Sequence, residues 1–257
     1  MTHRHTPKQS GFTLVEVIAA IVVVAVFSAI MLVLLSDSFI KSMDSARRFS
    51  KSSAISEVMA NIMMDYEPYP KWKASTIYSA TNKVFPTGMN GFFYVCTVSG
   101  TSGASEPQWR DGETQDGGAR WEPGKWKKLT AYVVGDMVIP TTPNGNFYRC
   151  TTAGTSGTTE PTWPMKSTDS DPVDGVQWVR LLEYLRLQIG SEGSTKDNNY
   201  GKYNVVKNRF VKFDSNATTP IGTGTDDLKN ILEVQIRNDE GDTLTTLFTA
   251  QIKKEED

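Results

Sequence analysis

Histidine is confined to the first five residues of this 257-residue chain, at His3 and His5. Its absence elsewhere removes Ser-His and Cys-His nucleophilic sites and imidazole-ligated metals from the body of the protein. Cysteine is nearly as scarce: Cys96 and Cys150 allow at most one disulfide, so the chain is not a disulfide scaffold. Net charge is only -2, which offers no electrostatic grip on nucleic acid. Carboxylates are plentiful, yet no spacing singles out a catalytic pair. The expectation is a non-enzymatic protein that needs no cofactor.

Glycine, proline and charge are also missing from one long stretch. From Phe12 to Leu35 the chain is apolar apart from Thr13, Ser28 and one charge, Glu16. That run exceeds the roughly 20 residues a helix needs to cross a bilayer, and a helix satisfies its own backbone there. A secretory signal peptide fits poorly, because its apolar core runs to about 7–15 residues before a small-residue cleavage site. A carboxylate one turn into such a segment costs several kcal/mol if unpaired, so Glu16 calls for a partner. The basic residues do not decide orientation: Arg4 and Lys8 precede the run, while Lys41, Arg47, Arg48 and Lys51 follow it.

The polar leader 1–11 ends in Gly11-Phe12-Thr13-Leu14-Val15-Glu16. This junction resembles the processing motif of type IV prepilins and of the pseudopilins of type II secretion. The resemblance implies that prepilin peptidase cuts between Gly11 and Phe12 and methylates the new amine of Phe12. It also implies that Glu16 directs packing into a filament, neutralising the ammonium of a neighbouring subunit so that two costly charges become one pair. The leader then lies in the cytoplasm of a bacterium. A single-pass chain stays in the inner membrane, with its C-terminal part exported, until other pilin or pseudopilin subunits take it into a periplasmic or surface filament. An ordinary signal anchor is the plainer alternative.

Beyond Leu35 apolar residues recur at three- and four-residue steps, at Phe39, Met43 and Ala46 and again at Ile55, Val58, Met59, Ile62 and Met63. This predicts one long helix over 12–66, with 12–35 in the membrane or filament core and Pro68 and Pro70 ending it. Next comes an internal repeat. The segment from Lys71 to Trp109 aligns without a gap on Lys125 to Trp163, with about half the positions identical. Asn90-Gly91 and Asn144-Gly145 predict hairpin turns followed by aromatic strands at 92–97 and 146–151. The expected modules are two small all-β units, at 71–124 and 125–181. Alternation then predicts strands at 184–188, 203–213, 231–237 and 243–253, a C-terminal antiparallel sheet within 182–257 packed on the helix. The fold class is α+β.

Each repeat opens on Trp, carries a Tyr and a Gly-aromatic-Tyr strand, and closes on Pro-x-Trp. In these features the pair resembles the chitin- and cellulose-binding modules of carbohydrate-binding family 5/12, although Thr81-Asn82 stands in the first copy where the second has Gly135-Asp136. The resemblance implies stacking of an insoluble polysaccharide on Trp72, Tyr78, Trp109 and Trp121 and on Trp126, Tyr132, Trp163 and Trp178. The alternative is that these aromatics form the module cores. Cys96 and Cys150 occupy equivalent positions of separate copies, which favours two buried thiols over a disulfide. Asp169, Asp171 and Asp174 supply oxygen atoms for Ca²⁺ without the spacing of a calcium loop, so a solvated acidic loop is the plainer reading. The expected function is a minor pilin or pseudopilin displaying two carbohydrate-binding modules. The alternative is a membrane-anchored adhesin or polysaccharide-binding protein outside any filament.

Overall fold

The computed structural model describes residues 14–163, 175–212, 221–222 and 230–250, with the side chains at 20, 29, 30, 32–53, 221 and 222 outside that description. The chain divides into two compact units, Met1–Ser53 and Ala54–Asp257. Helix α1, Leu14–Tyr66, runs through both. In the first unit its described apolar side chains are bare: Leu14, Val15, Ile21, Val24 and Phe27 are all more than 60% exposed. Among the described residues no helix is long and apolar enough to cross a membrane. The transmembrane span expected at 12–35 gains no support there, because part of that run lies outside the described side chains.

The second unit begins with the last turns of α1. Ile55, Val58, Met59, Ile62 and Tyr66 fall on one helical face and are buried, each worth about 1.5–3 kcal/mol of apolar burial. The other face shows Met63 and Met64, both at least half exposed. The buried face packs on a five-stranded antiparallel sheet through Tyr66, whose ring meets Phe248 edge-on at 5.1 Å and whose hydroxyl donates to the Thr249 carbonyl at 2.7 Å. Asn61 donates to the Tyr200 carbonyl at 3.1 Å.

Two β modules follow. The first contains β1 (Ile77–Tyr78), β2 (Lys83–Val84), β3 (Tyr94–Val98), β4 (Gly100–Thr101), β5 (Thr114–Asp116) and β6 (Ala119–Pro123). Strands β1 and β4 pair, and β2, β3, β6 and β5 form a sheet in that order. The second contains β7 (Ala131–Tyr132), β8 (Met137–Val138), β9 (Tyr148–Thr152), β10 (Gly154–Thr155) and β11 (Gln177–Arg180). It repeats the plan, with β7 on β10 and β9 between β8 and β11. The expected tight hairpins at the Asn-Gly pairs do not form. Val84 pairs with Tyr94 and Phe85 bridges to Lys71, so the stretch 86–93 is loop. Asn90 instead makes a local turn, accepting from the Phe92 amide at 3.0 Å and donating to the Tyr94 hydroxyl at 3.1 Å. Gly91 supplies the positive φ of 80° that this turn requires.

The chain continues into helix α2, Leu181–Ile189, and the strands β12 (Thr195–Asn198), β13 (Gly201–Lys212), β14 (Ile221–Gly222), β15 (Ile231–Arg237) and β16 (Thr243–Thr249). Helix α2 corrects the strand expected at 184–188. Leu181, Leu182, Leu185 and Ile189 share a helical stripe that is buried in the main core. The short alternation of Leu185, Arg186, Leu187 and Gln188 mimicked a strand only locally. The sheet order is β12-β13-β15-β16, with β14 also on β13.

Asp65 sits in the last turn of α1 and joins three parts of this unit. Its carboxylate accepts from Arg149 of the second module at 2.9 Å and from the Tyr200 hydroxyl at 2.6 Å. Arg149 also lies 4.4 Å above the Tyr184 ring of α2. Burial, and then the neighbouring Asp65 carboxylate, push Tyr200 well above the ordinary tyrosine range.

Ile62 is completely buried and its neighbours are fixed by the sheet, so Ile62→Ala should cost about 2–5 kcal/mol. Exposed Met64→Ala should change stability by less than about 0.5 kcal/mol. Chemical denaturation of the full chain in detergent, followed by tryptophan fluorescence, checks both.

Candidate functional site

The expected processing site, Gly11 and Phe12, lies outside the described residues. Glu16 occupies the first turn of α1 on an exposed part of the helix. The N-terminal dipole of a helix favours a carboxylate there. Around it the exposed aliphatic side chains leave a surface that water does not stabilise.

In the modules, the same set of contacts is written twice. The Tyr78 ring meets Trp121 at 4.8 Å and Tyr132 meets Trp178 at 4.9 Å. Trp109 lies on Tyr94 at 4.3 Å, and Trp163 on Tyr148 at 4.6 Å. Each outer tryptophan is clasped by the glutamate three residues before it. Glu106 accepts from the Trp109 indole and the Thr87 amide, both at 2.8 Å, and Thr87 donates its hydroxyl as well. Glu160 does the same for Trp163 at 2.7 Å and for the Thr141 amide at 2.8 Å, with the Thr141 hydroxyl as third donor. Burial pushes Glu106 up, but the bonds from Thr87 and Trp109 outweigh it and hold the carboxyl below its ordinary value. Ser102 and Ser156 likewise tie the carbonyls of Lys73 and Lys127 at 2.8 and 2.7 Å.

These contacts place the eight expected sugar-binding aromatics. Trp72, Tyr78, Trp121, Trp126, Tyr132 and Trp178 are buried, with their faces against other protein atoms. Trp109 and Trp163 alone of the eight keep part of their surface in solvent. Cys96 and Cys150 are free, buried thiols, raised above the ordinary value chiefly by burial. Asp169, Asp171 and Asp174 lie outside the described residues, and no cluster of metal-ligating side chains occurs among the described ones.

Where the two copies differ in sequence, the backbone is conserved by other means. Thr81 takes a φ of 76° where Gly135 has 98°. Asn82 accepts from the Ser79 amide at 2.8 Å, as Asp136 accepts from the Val133 amide at 3.0 Å. The extra charge on Asp136 is used across the modules, where it binds Lys83 at 3.0 Å. Burial pushes Lys83 down, yet Tyr69 and Asp136 together hold its ammonium above the ordinary value. Lys83, Tyr69, Pro70, Ile77 and Tyr78 line an open groove of about 470 Å³. Ile77 is 79% exposed there. Of these residues only Tyr78 carried a sequence signal, since the groove exists only once the first module meets the segment that follows α1.

Asp116 is the other residue that sequence reasoning missed. It is buried, and one of its oxygens accepts from the indoles of Trp72 and Trp121 at 2.7 and 3.1 Å. The second oxygen accepts from the Gly103 amide at 2.7 Å. The Asp-Gly pair ahead of the last module strand was its signal, and the sequence counterpart in the second copy is Asp174-Gly175. The Trp126 indole nitrogen has no partner among the described residues.

Over residues 6–32 the chain matches the family described as the prokaryotic N-terminal methylation motif. The chain thus carries a prepilin-type methylation motif, the mark of a type IV pilin- or pseudopilin-like precursor. The match stops short of the repeats and gives no support to their resemblance to carbohydrate-binding modules. No curated protein and no solved structure matches the chain.

Asp116→Ala would leave two buried indole N–H donors and the half-buried Gly103 amide without an acceptor, at about 1–3 kcal/mol for each buried group stranded. Asp116→Asn keeps a carbonyl oxygen and should cost less. Thermal melting of the two variants should rank them in that order. An Asp116→Ala melting temperature equal to that of the unchanged protein would show that Asp116 does not hold the first module together.

Proposed function

We propose that this protein is a filament subunit of the pilin or pseudopilin type, most specifically a minor one, whose two β modules are displayed on the filament or at its tip. One observation carries the reading: a matched methylation motif leads directly into a helix whose described aliphatic side chains, from Leu14 to Met31, have no protein covering them. Such a surface is stable in lipid or against identical helices, and a pilin-type subunit passes from one to the other. In this reading the span 12–35 crosses the inner membrane before assembly, with prepilin peptidase and other pilin subunits as partners. Glu16 pairs with the Phe12 ammonium of a neighbour within the filament. The second unit, Ala54–Asp257, is the exported head.

Mass spectrometry of the membrane-extracted protein should find N-methylated Phe12 at its start, and an intact Met1 in cells with an active prepilin peptidase overturns the reading. Glu16→Val should remain in the membrane and be missing from sheared filaments, because the neighbour's ammonium loses its partner.

Polysaccharide binding by the modules belongs to the same proposal in a narrowed form. Trp109 and Trp163 keep exposed surface, and the glutamate clasp with the tyrosine behind each one fixes the ring orientation. A flat ring held still loses little entropy when a pyranose stacks on it. Retention of the full chain on chitin or cellulose should fall at least tenfold in the double variant Trp109→Ala, Trp163→Ala. Undiminished retention excludes these rings as the sugar platform.

A further inference from the structure

The five-stranded sheet has two unlike edges. Strand β12 at one edge is short and carries Lys196 and Asp197, features that discourage a further strand. Strand β16 at the other is Thr-Leu-Thr-Thr-Leu-Phe-Thr, seven residues with no charge and no proline. It pairs with β15 from Thr243 to Thr249 without a register shift, so no bulge disrupts the edge. Among the described residues nothing pairs with its outer side.

The hydrogen-bond phase shows which groups face out. Ala250 donates its amide to Asn230, and Asn238 donates to Asp242, so the even-numbered residues of β16 turn their amides and carbonyls toward β15. Thr243, Thr245, Leu247 and Thr249 therefore point theirs outward. The Tyr66 hydroxyl takes the outward carbonyl of Thr249, which confirms the phase and leaves the edge open from Thr243 to Leu247.

The occupant is indicated by the strand's own sequence, whose two inner-face apolar residues, Leu244 and Phe248, stand at equal distances from Thr246 and so meet each other when the strand pairs with itself. We propose that the outer edge of β16 pairs antiparallel with β16 of a second copy of this chain, centred on Thr246. Thr245 then faces Leu247 of the second copy and Leu244 faces Phe248, while Thr243 lies opposite Thr249, whose outward carbonyl stays with Tyr66. The outward groups match: Thr245 and Leu247 of the second copy exchange two hydrogen bonds, and the two-fold axis repeats them. Leu244 against Phe248 extends the apolar inner face across the junction, and threonine pairs favour an antiparallel ladder. Charge plays no part, so salt should not weaken the contact. A single strand pair buries less than the roughly 1,000 Å² of a stable interface. The pairing therefore depends on concentration, which a shared bilayer or bundled filaments would raise. The pairing itself does not rest on the filament reading, which concerns α1.

The test uses the full chain in detergent, concentrated and mildly oxidised, with Cys96 and Cys150 buried and the unmodified chain as blank. Thr246→Cys should give a disulfide-linked dimer, because a non-hydrogen-bonded antiparallel pair brings Cα atoms to about 4.5 Å. Thr243→Cys should give at least tenfold less, since its counterpart lies six residues away along the strand, roughly 20 Å. Adding Thr245→Pro to Thr246→Cys removes an outward amide without touching the ladder to β15. The dimer should then be lost while circular dichroism stays unchanged. No dimer from Thr246→Cys above the blank, equal yields at 243 and 246, or a dimer that survives Thr245→Pro would each overturn the proposal. Failure of Phe12 methylation or of filament incorporation would leave the cross-link in place.

Discussion

The second unit depends on a helix end that is half apolar wedge and half polar clamp. Ile55, Val58, Met59 and Ile62 drive α1 into the core shared by α2 and the C-terminal sheet. Asp65, one turn later, meets Arg149 of the second module and Tyr200 in the turn just before β13. Apolar burial has little directional content, so it holds the helix down without fixing its rotation. A charge-assisted bond to Arg149 and a short hydroxyl bond to Tyr200 are directional and set that rotation. Pro68 and Pro70 lie just beyond and prevent the helix from extending past the clamp. The modules thus start from a fixed point, and Arg149, stacked on Tyr184, ties the second module back to it.

Given that anchor, each module stabilises itself by spending aromatic surface inward. A unit of about 50 residues has little volume to bury, and tryptophan packed edge-on against tyrosine fills it with few side chains. The polar atoms of those rings are then a liability unless satisfied. Asp116 resolves this in the first module for two indoles at once, and Glu106 and Glu160 resolve it for the outer tryptophan of each copy. The same economy leaves only the partly exposed Trp109 and Trp163 among the eight expected aromatics available to a ligand. Surface function on such a module is therefore limited to what its core does not consume.

The two units differ in what their surfaces present. Ala54–Asp257 buries most of its described large apolar side chains, whereas the described part of α1 before it presents exposed aliphatic side chains. The matched methylation motif, residues 6–32, covers that exposed stretch and none of the second unit.

Local sequence was enough for whatever depends on local chemistry. The methylation motif, the apolar run with Glu16 inside it, the helical face from Ile55 to Ile62 and the half-identical copies at 71–109 and 125–163 were all legible, because each is a pattern of neighbours along the chain. The strands at 231–237 and from 243 onward were legible for the same reason, as alternation across a short turn. Tertiary structure decided the rest. Whether Leu181–Ile189 became helix or strand depended on the core that received its leucines, and the Asn-Gly loops opened because Asn90 found Tyr94 rather than a tight turn. Burial of six of the eight expected sugar-binding rings, the joining of two indoles by Asp116 and the bridge from Lys83 to Asp136 all bring together residues far apart in sequence. A tryptophan reads identically in sequence whether its ring faces a sugar or a tyrosine; only the packing of distant segments determines which, because exposure is a property of the assembled surface and not of the residue.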